Sequence, residues 1–216
     1  MTDAAPCPLC GGGDVRFFCA DAARPYLRCR ACELVFVDTA ALPAPGAERA
    51  RYETHHNDAA DPGYVAFLER FAAPFCEALG PAPLEGLDYG CGPAPVLAGL
   101  LAARGHQMAV WDPFFAPDTA ALSRAYDFVT CTEAVEHFHR PGEELARIIG
   151  LLRPGGRLGI MTSLRPADDA FPTWHYRRDF THVSFFSQET FGFLARRHGL
   201  AVTFPDRDLV FFRVES

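Results

Sequence analysis

LDYGCGPAP, residues 87–95, carries an apolar strand into a helix through a turn that contains Gly90 and Gly92. Glycine permits so tight a turn and lets a ligand approach the backbone closely. A dinucleotide fingerprint would place a third glycine at position 95, where this chain has Pro95, and would set a pyrophosphate on the helix N-terminus. Asp88 sits two residues before Gly90, beside where that anion would lie. A carboxylate there suits a nucleotide carrying an ammonium group better than it suits NAD. Asp112 ends the next strand, twenty residues beyond Gly92. An acid in that place accepts hydrogen bonds from both ribose hydroxyls.

On both sides of this turn the pattern alternates. LEGLDYG (84–90), HQMAVWD (106–112), AYDFVTC (125–131), RLGIMTS (157–163), LAVTF (200–204) and DLVFFRVE (208–215) read as strands. PVLAGLLAARG (95–105), GEELARIIGLLRPGG (142–156) and SQETFGFLARRHG (187–199) read as helices. The second ends in Pro-Gly-Gly, and the third is opened by Ser187 and Glu189 and closed by Gly199. Strands separated by helices predict an α/β fold, a Rossmann-like doubly wound and mostly parallel sheet over residues 81–216. Its ligand belongs beyond the carboxyl ends of the strands. Ahead of it, GYVAFLERFAAPFCEALG (63–80) puts Tyr64, Phe67, Leu68, Phe71, Phe75 and Leu79 at helical spacing. This is an amphipathic helix with a kink at Pro74, its aromatic stripe read as core packing. With ALPAPGAERA (41–50), which reads as a linker, it makes up residues 41–80.

Residues 1–40 form a third unit. Cys7 and Cys10 are followed, after eighteen residues, by Cys29 and Cys32. Two C-x-x-C pairs on tight turns suit a tetrahedral Zn²⁺, and VRFFCA, PYLRC and LVFV between and after them read as short strands. So small a zinc ribbon depends on its metal for stability, and a closed four-thiolate site leaves no position for catalysis. The other four cysteines are scattered and read as free thiols.

All twenty basic residues are arginine, which removes Schiff-base lysines and phosphate-cradling Gly-Lys-Ser/Thr loops from consideration. A net charge of -7, and four arginines against five acids within residues 1–40, weigh against nucleic acid as a partner. No apolar run reaches bilayer-spanning length and the chain opens without a signal-like stretch, which predicts a soluble, cytoplasmic protein with no membrane partner.

LDYGCGPAP, VWDP, YDFVTCTEAVEHFHRP, LLRPGGRLGIMT and the terminal LVFFRVE resemble the successive motifs of class I S-adenosylmethionine (SAM)-dependent methyltransferases. CPLC, CRACELVF and HYRRDFTHVSFFS (175–187) are similar to a bacterial subgroup in which a zinc ribbon precedes such a core. Ala94 stands where many members have glycine, and the stretch between Asp112 and Asp127 is short. The resemblance implies SAM as cofactor, with contacts from Asp88, Tyr89, Gly90, Cys91, Gly92, Asp112, Pro113, Thr132 and Glu133. In related quinone-biosynthesis O-methyltransferases an E-x-x-E-H stretch binds a divalent cation; carried over, that role falls on Glu133, Glu136 and His137.

Two clusters are candidates for the acceptor side. Glu133, Glu136 and His137 share one face of a helical turn by three- and four-residue spacing, or are solvated acids at a helix start. His175, Tyr176, Arg178, Asp179 and His182 crowd into eight positions of an irregular loop. His182 is the preferred general base, oriented by Asp179, with Arg178 pairing an anionic acceptor; the alternative is a backbone-bonded histidine beside a surface ion pair. His55 and His56 read as linker residues, and His106, His139 and His198 as surface residues. Three functions compete: methyl transfer to a small molecule, methyl transfer to RNA or protein gripped by the ribbon, and a SAM-binding module without activity. Acidity favours the first over the second, and the intact clusters weigh against the third.

Overall fold

The computed structural model describes residues 5–54 and 58–215, so His55 and His56 lie outside it. Three short antiparallel strands open the chain: β1 (Val15–Ala20), β2 (Pro25–Cys29) and β3 (Val35–Val37). Two helices follow, α1 (Pro45–Tyr52) and α2 (Pro62–Leu79). Next come β4 (Glu85–Tyr89), α3 (Val96–Ala103), β5 (Gln107–Trp111), β6 (Tyr126–Thr132), α4 (Pro141–Gly150) and β7 (Leu152–Met161). The chain closes with β8 (Ser184–Phe185), α5 (Gln188–His198), β9 (Leu200–Asp206) and β10 (Leu209–Val214).

The central sheet runs β5-β4-β6-β7-β10-β9. Its first four strands are parallel, while β10 pairs antiparallel with both β7 and β9. Side chains alternate across it. Phe128, Met161, Leu209 and Phe211 face α2 and α3, where Leu68, Phe71, Phe75, Val96, Leu97 and Leu101 cover them. Leu87, Tyr89, Val129, Leu158, Ile160, Val210 and Phe212 face the other way, under α4 and α5. Each fully buried ring of this kind contributes about 2–3 kcal/mol. Phe71 and Phe75 reach the sheet because Gly159 has no side chain: a Cβ there would lie 2.6 Å from the Phe75 ring.

The small N-terminal sheet is not a free appendage. Cys7, Leu9, Cys29, Cys32, Leu34 and Phe36 belong to the same buried cluster as α4 and α5. β3 pairs antiparallel with β8, so the four-stranded sheet β1-β2-β3-β8 is built from both ends of the chain. The Gly142 amide donates to the Pro8 carbonyl at 3.1 Å, which seats the start of α4 against the first cysteine turn.

Three local expectations are corrected. Within the proline- and alanine-rich stretch read as linker, α1 forms, begun by Pro45 and held by a tertiary hydrogen bond of Glu48 with His139 and an ion pair of Arg51 with Asp179. Leu152–Gly156 belongs to β7 rather than to the preceding helix, as a bulge opposite β6 in which Gly155 takes a φ of 76°. His106 is buried, with its ring edge-to-face against Phe128. Helix α2 runs past Pro74 to Leu79, capped by the Asp61 side chain. At α5, Ser187 caps the start and Gly199 ends it with a φ of 64°, as read from the sequence.

A Cβ on Gly142 would lie 2.4 Å from the Leu9 carbonyl oxygen, whereas one on Gly150 of the same helix meets nothing within 4 Å. Gly142→Ala is therefore expected to destabilise the protein by about 1–3 kcal/mol through forced separation of α4 from the cysteine turn. Gly150→Ala should leave the unfolding midpoint unchanged or slightly raised. Urea unfolding of the two variants checks this, and equal midpoints would contradict the packing.

Candidate functional site

The carboxyl ends of β4, β5 and β6 open into a cavity of about 590 Å³. Strand β4 ends at Tyr89, and the chain turns through Gly90 and Gly92, with φ of 78° and 66°, before α3 begins. The amides of Gly90 and Cys91 donate to the Trp111 carbonyl at 2.8 and 3.3 Å. A Cβ on Gly90 would sit 2.8 Å from that of Ala134, so only glycine fits. The buried Asp112 carboxylate accepts the Gly92 amide at 3.0 Å and the amides of Phe114 and Phe115 at 2.8 and 3.0 Å. It thereby ties the glycine turn to the loop after β5.

Asp88 is buried on the cavity wall and accepts the Thr130 hydroxyl at 2.8 Å. Burial raises its pKa to about 6, against the Thr130 hydrogen bond that favours the ionised form. Cys91 is pushed up to about 12 by burial and the neighbouring carboxylates, so it is a neutral thiol and not a nucleophile. Tyr89 stacks on Trp111 at 4.4 Å while its hydroxyl donates to Glu144. All nine residues expected around the cofactor line this one cavity, Pro113, Thr132 and Glu133 included.

Of the acceptor-side residues, Glu136, His137 and His182 line the same cavity. One ligand-capable atom from each of the three lies within 4.8 Å of the others, a set in which Glu133 has no part. The Glu136 carboxylate accepts the Thr162 hydroxyl at 3.0 Å and the Tyr176 hydroxyl. Nδ1 of His137 faces the Thr181 carbonyl at 3.0 Å, and Nδ1 of His182 the Tyr176 carbonyl at 2.7 Å. A carbonyl only accepts, so both rings carry a proton on Nδ1 and turn Nε2 away from the backbone partner. Burial lowers the His182 pKa to about 4, so the ring is neutral at pH 7 but a weak proton acceptor. Glu133, exposed at the cavity wall, has a φ of 47°, and desolvation within the cavity and then the Glu136 charge raise its pKa above the usual carboxylate range.

Three expected roles are not what the geometry provides. The Asp179 carboxylate does not bond the His182 imidazole, although its carbonyl accepts the His182 amide at 3.2 Å; the carboxylate accepts Arg51 at 2.9 and 2.7 Å and Thr181 at 3.0 and 2.7 Å, and these contacts outweigh burial to hold it well below the usual carboxylate range. The Tyr176 carbonyl orients the imidazole instead. Tyr176 itself is buried behind Glu136 and does not line the cavity. Arg178 is exposed and does not line the cavity; it borders a second, more open depression with Arg51, His175 and Phe180 that meets the cavity at His182. His139, read as a surface residue, faces the cavity and pairs with the buried Glu48 at 2.8 Å.

Sequence reasoning missed several walls. Trp111 and Phe114 flank Asp112–Pro113, and their aromatic character was available as a signal for a flat ring on the short loop. Tyr64 and Phe67 of α2 face the cavity at the edge of a stripe whose centre, Phe71 and Phe75, is core. Tyr52 and Glu48 arrive on α1, which no local pattern announced. The loop bearing His182 is held from the N-terminal sheet: Arg24 donates to the carbonyls of Asp179, Phe180 and His182 at 3.3, 3.0 and 3.2 Å.

Away from the cavity, Cys7, Cys10, Cys29 and Cys32 converge, with Sγ pairs at 3.5 Å and all four within 4.8 Å. Tetrahedral zinc with bonds of ~2.3 Å needs sulfurs about 3.8 Å apart, whereas a disulfide needs ~2.05 Å. The Gly12 amide donates to Cys10 Sγ at 3.3 Å, which favours a thiolate there. The four residues fit a tetrahedral metal ion.

A family model described as a methyltransferase domain matches residues 30–203. Among solved structures, the chain is similar to 1,6-didemethyltoxoflavin-N1-methyltransferase of Burkholderia thailandensis, with 20% identity, 92% of this chain and 98% of that chain covered, and a TM-score of 0.57. It is also similar to magnesium protoporphyrin IX methyltransferase of Synechocystis PCC 6803, with 13% identity, 80% and 92% coverage and a TM-score of 0.52. No curated protein matches the chain. With the family model spanning both the glycine turn and the acceptor-side clusters, the chain belongs to the methyltransferase-domain family and is a SAM-dependent methyltransferase of the class I fold.

Proposed function

We propose that this chain transfers a methyl group from SAM to a small-molecule acceptor, a hydroxyl compound, and that residues 1–40 hold a structural Zn²⁺. The observation that carries the reading is one cavity bearing both chemistries: Asp88, the glycine turn and Asp112 for the cofactor, and Glu136, His137 and His182 for the acceptor. Asp88 answers the amino-acid ammonium, Asp112 the ribose, and Trp111 and Phe114 offer flat faces for adenine. When bound, the sulfonium supplies an already activated methyl group. The protein's own residues then have two tasks, alignment of the acceptor and help in removing its proton. Both fall to the Glu136, His137 and His182 cluster, whose ring orientations are set by backbone carbonyls.

A small acceptor is favoured over RNA or protein by the setting of the ribbon. Its cysteines and apolar side chains are spent on α4, α5 and β8, and the cavity is of the size that takes small ligands. The small molecules named for the Burkholderia and Synechocystis enzymes are in keeping with this. Among the described residues no helix is long and apolar enough to cross a membrane.

Calorimetric titration with SAM tests the central reading; no heat and no thermal shift at millimolar SAM would remove it. Affinity should weaken as pH falls through about 6, because only the ionised Asp88 pairs with an ammonium group. The expected slope is up to about tenfold per pH unit. Thr130→Val deletes the hydrogen bond that favours the carboxylate, so the same weakening should begin at higher pH. An affinity that stays flat across this range in both proteins would deny Asp88 that role.

Metal analysis addresses the ribbon. Undamaged protein should carry about one zinc, and Cys29→Ser should lose it together with a large part of the thermal stability. Less than about half an equivalent in the parent protein contradicts the site.

A further inference from the structure

We propose that His139, backed by Glu48, is the general base of the methyl transfer, the group that ends with the acceptor's proton. The inference deepens the hydroxyl-acceptor reading and rests on it. Both residues line the methyl-transfer cavity, although neither belongs to the cluster around His182. Nε2 of His139 lies 2.8 Å from a Glu48 carboxylate oxygen. A carboxylate accepts, so Nε2 carries a proton, and in the neutral ring the lone pair falls on Nδ1. That nitrogen has no hydrogen-bond partner among the described residues.

Glu48 is the unusual member of the pair. Its side chain is 7% exposed, and among the described residues His139 is its only hydrogen-bond partner. A buried carboxylate with a single partner is costly to fold. Arg51, one turn further on, already fastens α1 to Asp179, so holding the helix does not by itself account for the charge. A fixed carboxylate behind an imidazole orients the ring and stabilises the cation formed when the ring takes a proton. Tyr52, one turn beyond Glu48 on α1, packs on His137 at 5.0 Å and on Phe114 at 5.7 Å. The face of α1 that carries Glu48 therefore reaches both the aromatic loop of the cofactor end and the cluster of the acceptor end.

No carboxylate is hydrogen-bonded to His137 or His182, whose Nδ1 atoms meet backbone carbonyls instead. A carbonyl orients a ring but carries no net charge to balance an imidazolium. The cluster with Glu136 aids the reaction by hydrogen-bonding the acceptor, while burial keeps His182 a weak proton acceptor. His139 differs in access as well. Its side chain is 31% exposed, so a proton taken from the acceptor can pass on to water. In the step itself the acceptor oxygen takes the methyl group in line as the carbon–sulfur bond breaks, its electron pair going to sulfur. The hydroxyl proton goes to His139 Nδ1. The products are the methyl ether, S-adenosylhomocysteine and, once the ring releases it, one proton.

The test incubates the full chain with SAM tritiated in its methyl group and the low-molecular-mass fraction of a native cell extract, and follows the label. His139→Gln keeps a side-chain N–H for Glu48 but no base. It should move label at least about a hundredfold more slowly, since general-base catalysis contributes roughly 10²–10⁴-fold. Its SAM affinity and melting temperature should match the parent's. Glu48→Gln still accepts from the ring but lacks the charge, and should slow transfer about tenfold or more. His139→Ala should regain rate with added imidazoles, in step with their basicity, which a residue that only pins α1 would not show. Nitrogen-15 NMR of the parent, which needs no acceptor, should find the His139 proton on Nε2. The opposite tautomer, a glutamine variant that has lost SAM binding, or an imidazole series without effect would overturn the proposal. The two readings fail separately. Label moved equally well by the parent and by His139→Gln removes the base alone, whereas a parent that binds SAM and labels nothing removes the hydroxyl-acceptor reading and the base with it.

Discussion

The Asp112 carboxylate is the point on which the cofactor end of the molecule turns. It is buried, and it accepts three backbone amides from two segments, Gly92 on one side and Phe114 and Phe115 on the other. Such charge-assisted bonds are about twice as strong as neutral ones, and away from water they hold a single geometry. The glycine turn, the aromatic loop and the ends of β4 and β5 are thereby one rigid body. Three of roughly four acceptor directions are spent in this way, which leaves one for a ligand hydroxyl. The strand-end aspartate is thus the turn-capping residue that its position commonly is, and it caps the turn on the wall of the cavity.

The acceptor end is organised from the opposite side of the molecule. The loop that carries His182 has no regular ladder of its own apart from β8, and it borrows order from the N-terminal sheet. Arg24 is a buried cation with no carboxylate close enough to form a tight pair, its contact with Asp21 being 3.9 Å. Its guanidinium is satisfied by the carbonyls of the loop, those of Asp179, Phe180 and His182 among them. Because a buried guanidinium left without acceptors is costly, the arginine and the loop order each other. The N-terminal sheet thus bears on the cavity without lining it, because Arg24 holds the loop that presents His182.

Helix α1 closes the remaining wall in the same indirect manner. Its intrinsic tendency is weak for eight residues that include proline and glycine, and it is fixed by Glu48 to His139 and Arg51 to Asp179. Both of these partners lie in segments that already bear cavity residues, so the wall and the acceptor loop are positioned by shared contacts. Glu133, at a φ of 47°, is one of two non-glycine residues in left-handed backbone among the described residues, the other being Glu33 at 64°. Glu133 sits at the end of β6, where the strand gives way to the short turn that carries Glu136 and His137.

Much of this was legible in the order of residues. The strand-turn-helix at Leu87–Pro95, the four-cysteine spacing and the caps at Ser187 and Gly199 depend on local chemistry, such as a missing side chain, a tight turn or an oxygen facing an amide. Local chemistry also put Asp88 and Asp112 at the ends of neighbouring strands, and both line one cavity because strand ends of a parallel sheet converge wherever the sheet lies. What it could not reach were contacts between distant segments. Pairing His182 with Glu136 and His137, assigning its orientation to the Tyr176 carbonyl, setting Arg178 outside the cavity and folding α1 all require knowing which loops meet. The sequence by itself determined the sheet, the glycine turn and the thiol cluster, because those rest on periodicity and on residues near one another in the chain. Only the tertiary structure decided which polar groups share the cavity, because hydrogen bonds and ion pairs across 44 to 158 residues are settled by packing, and no local spacing records them.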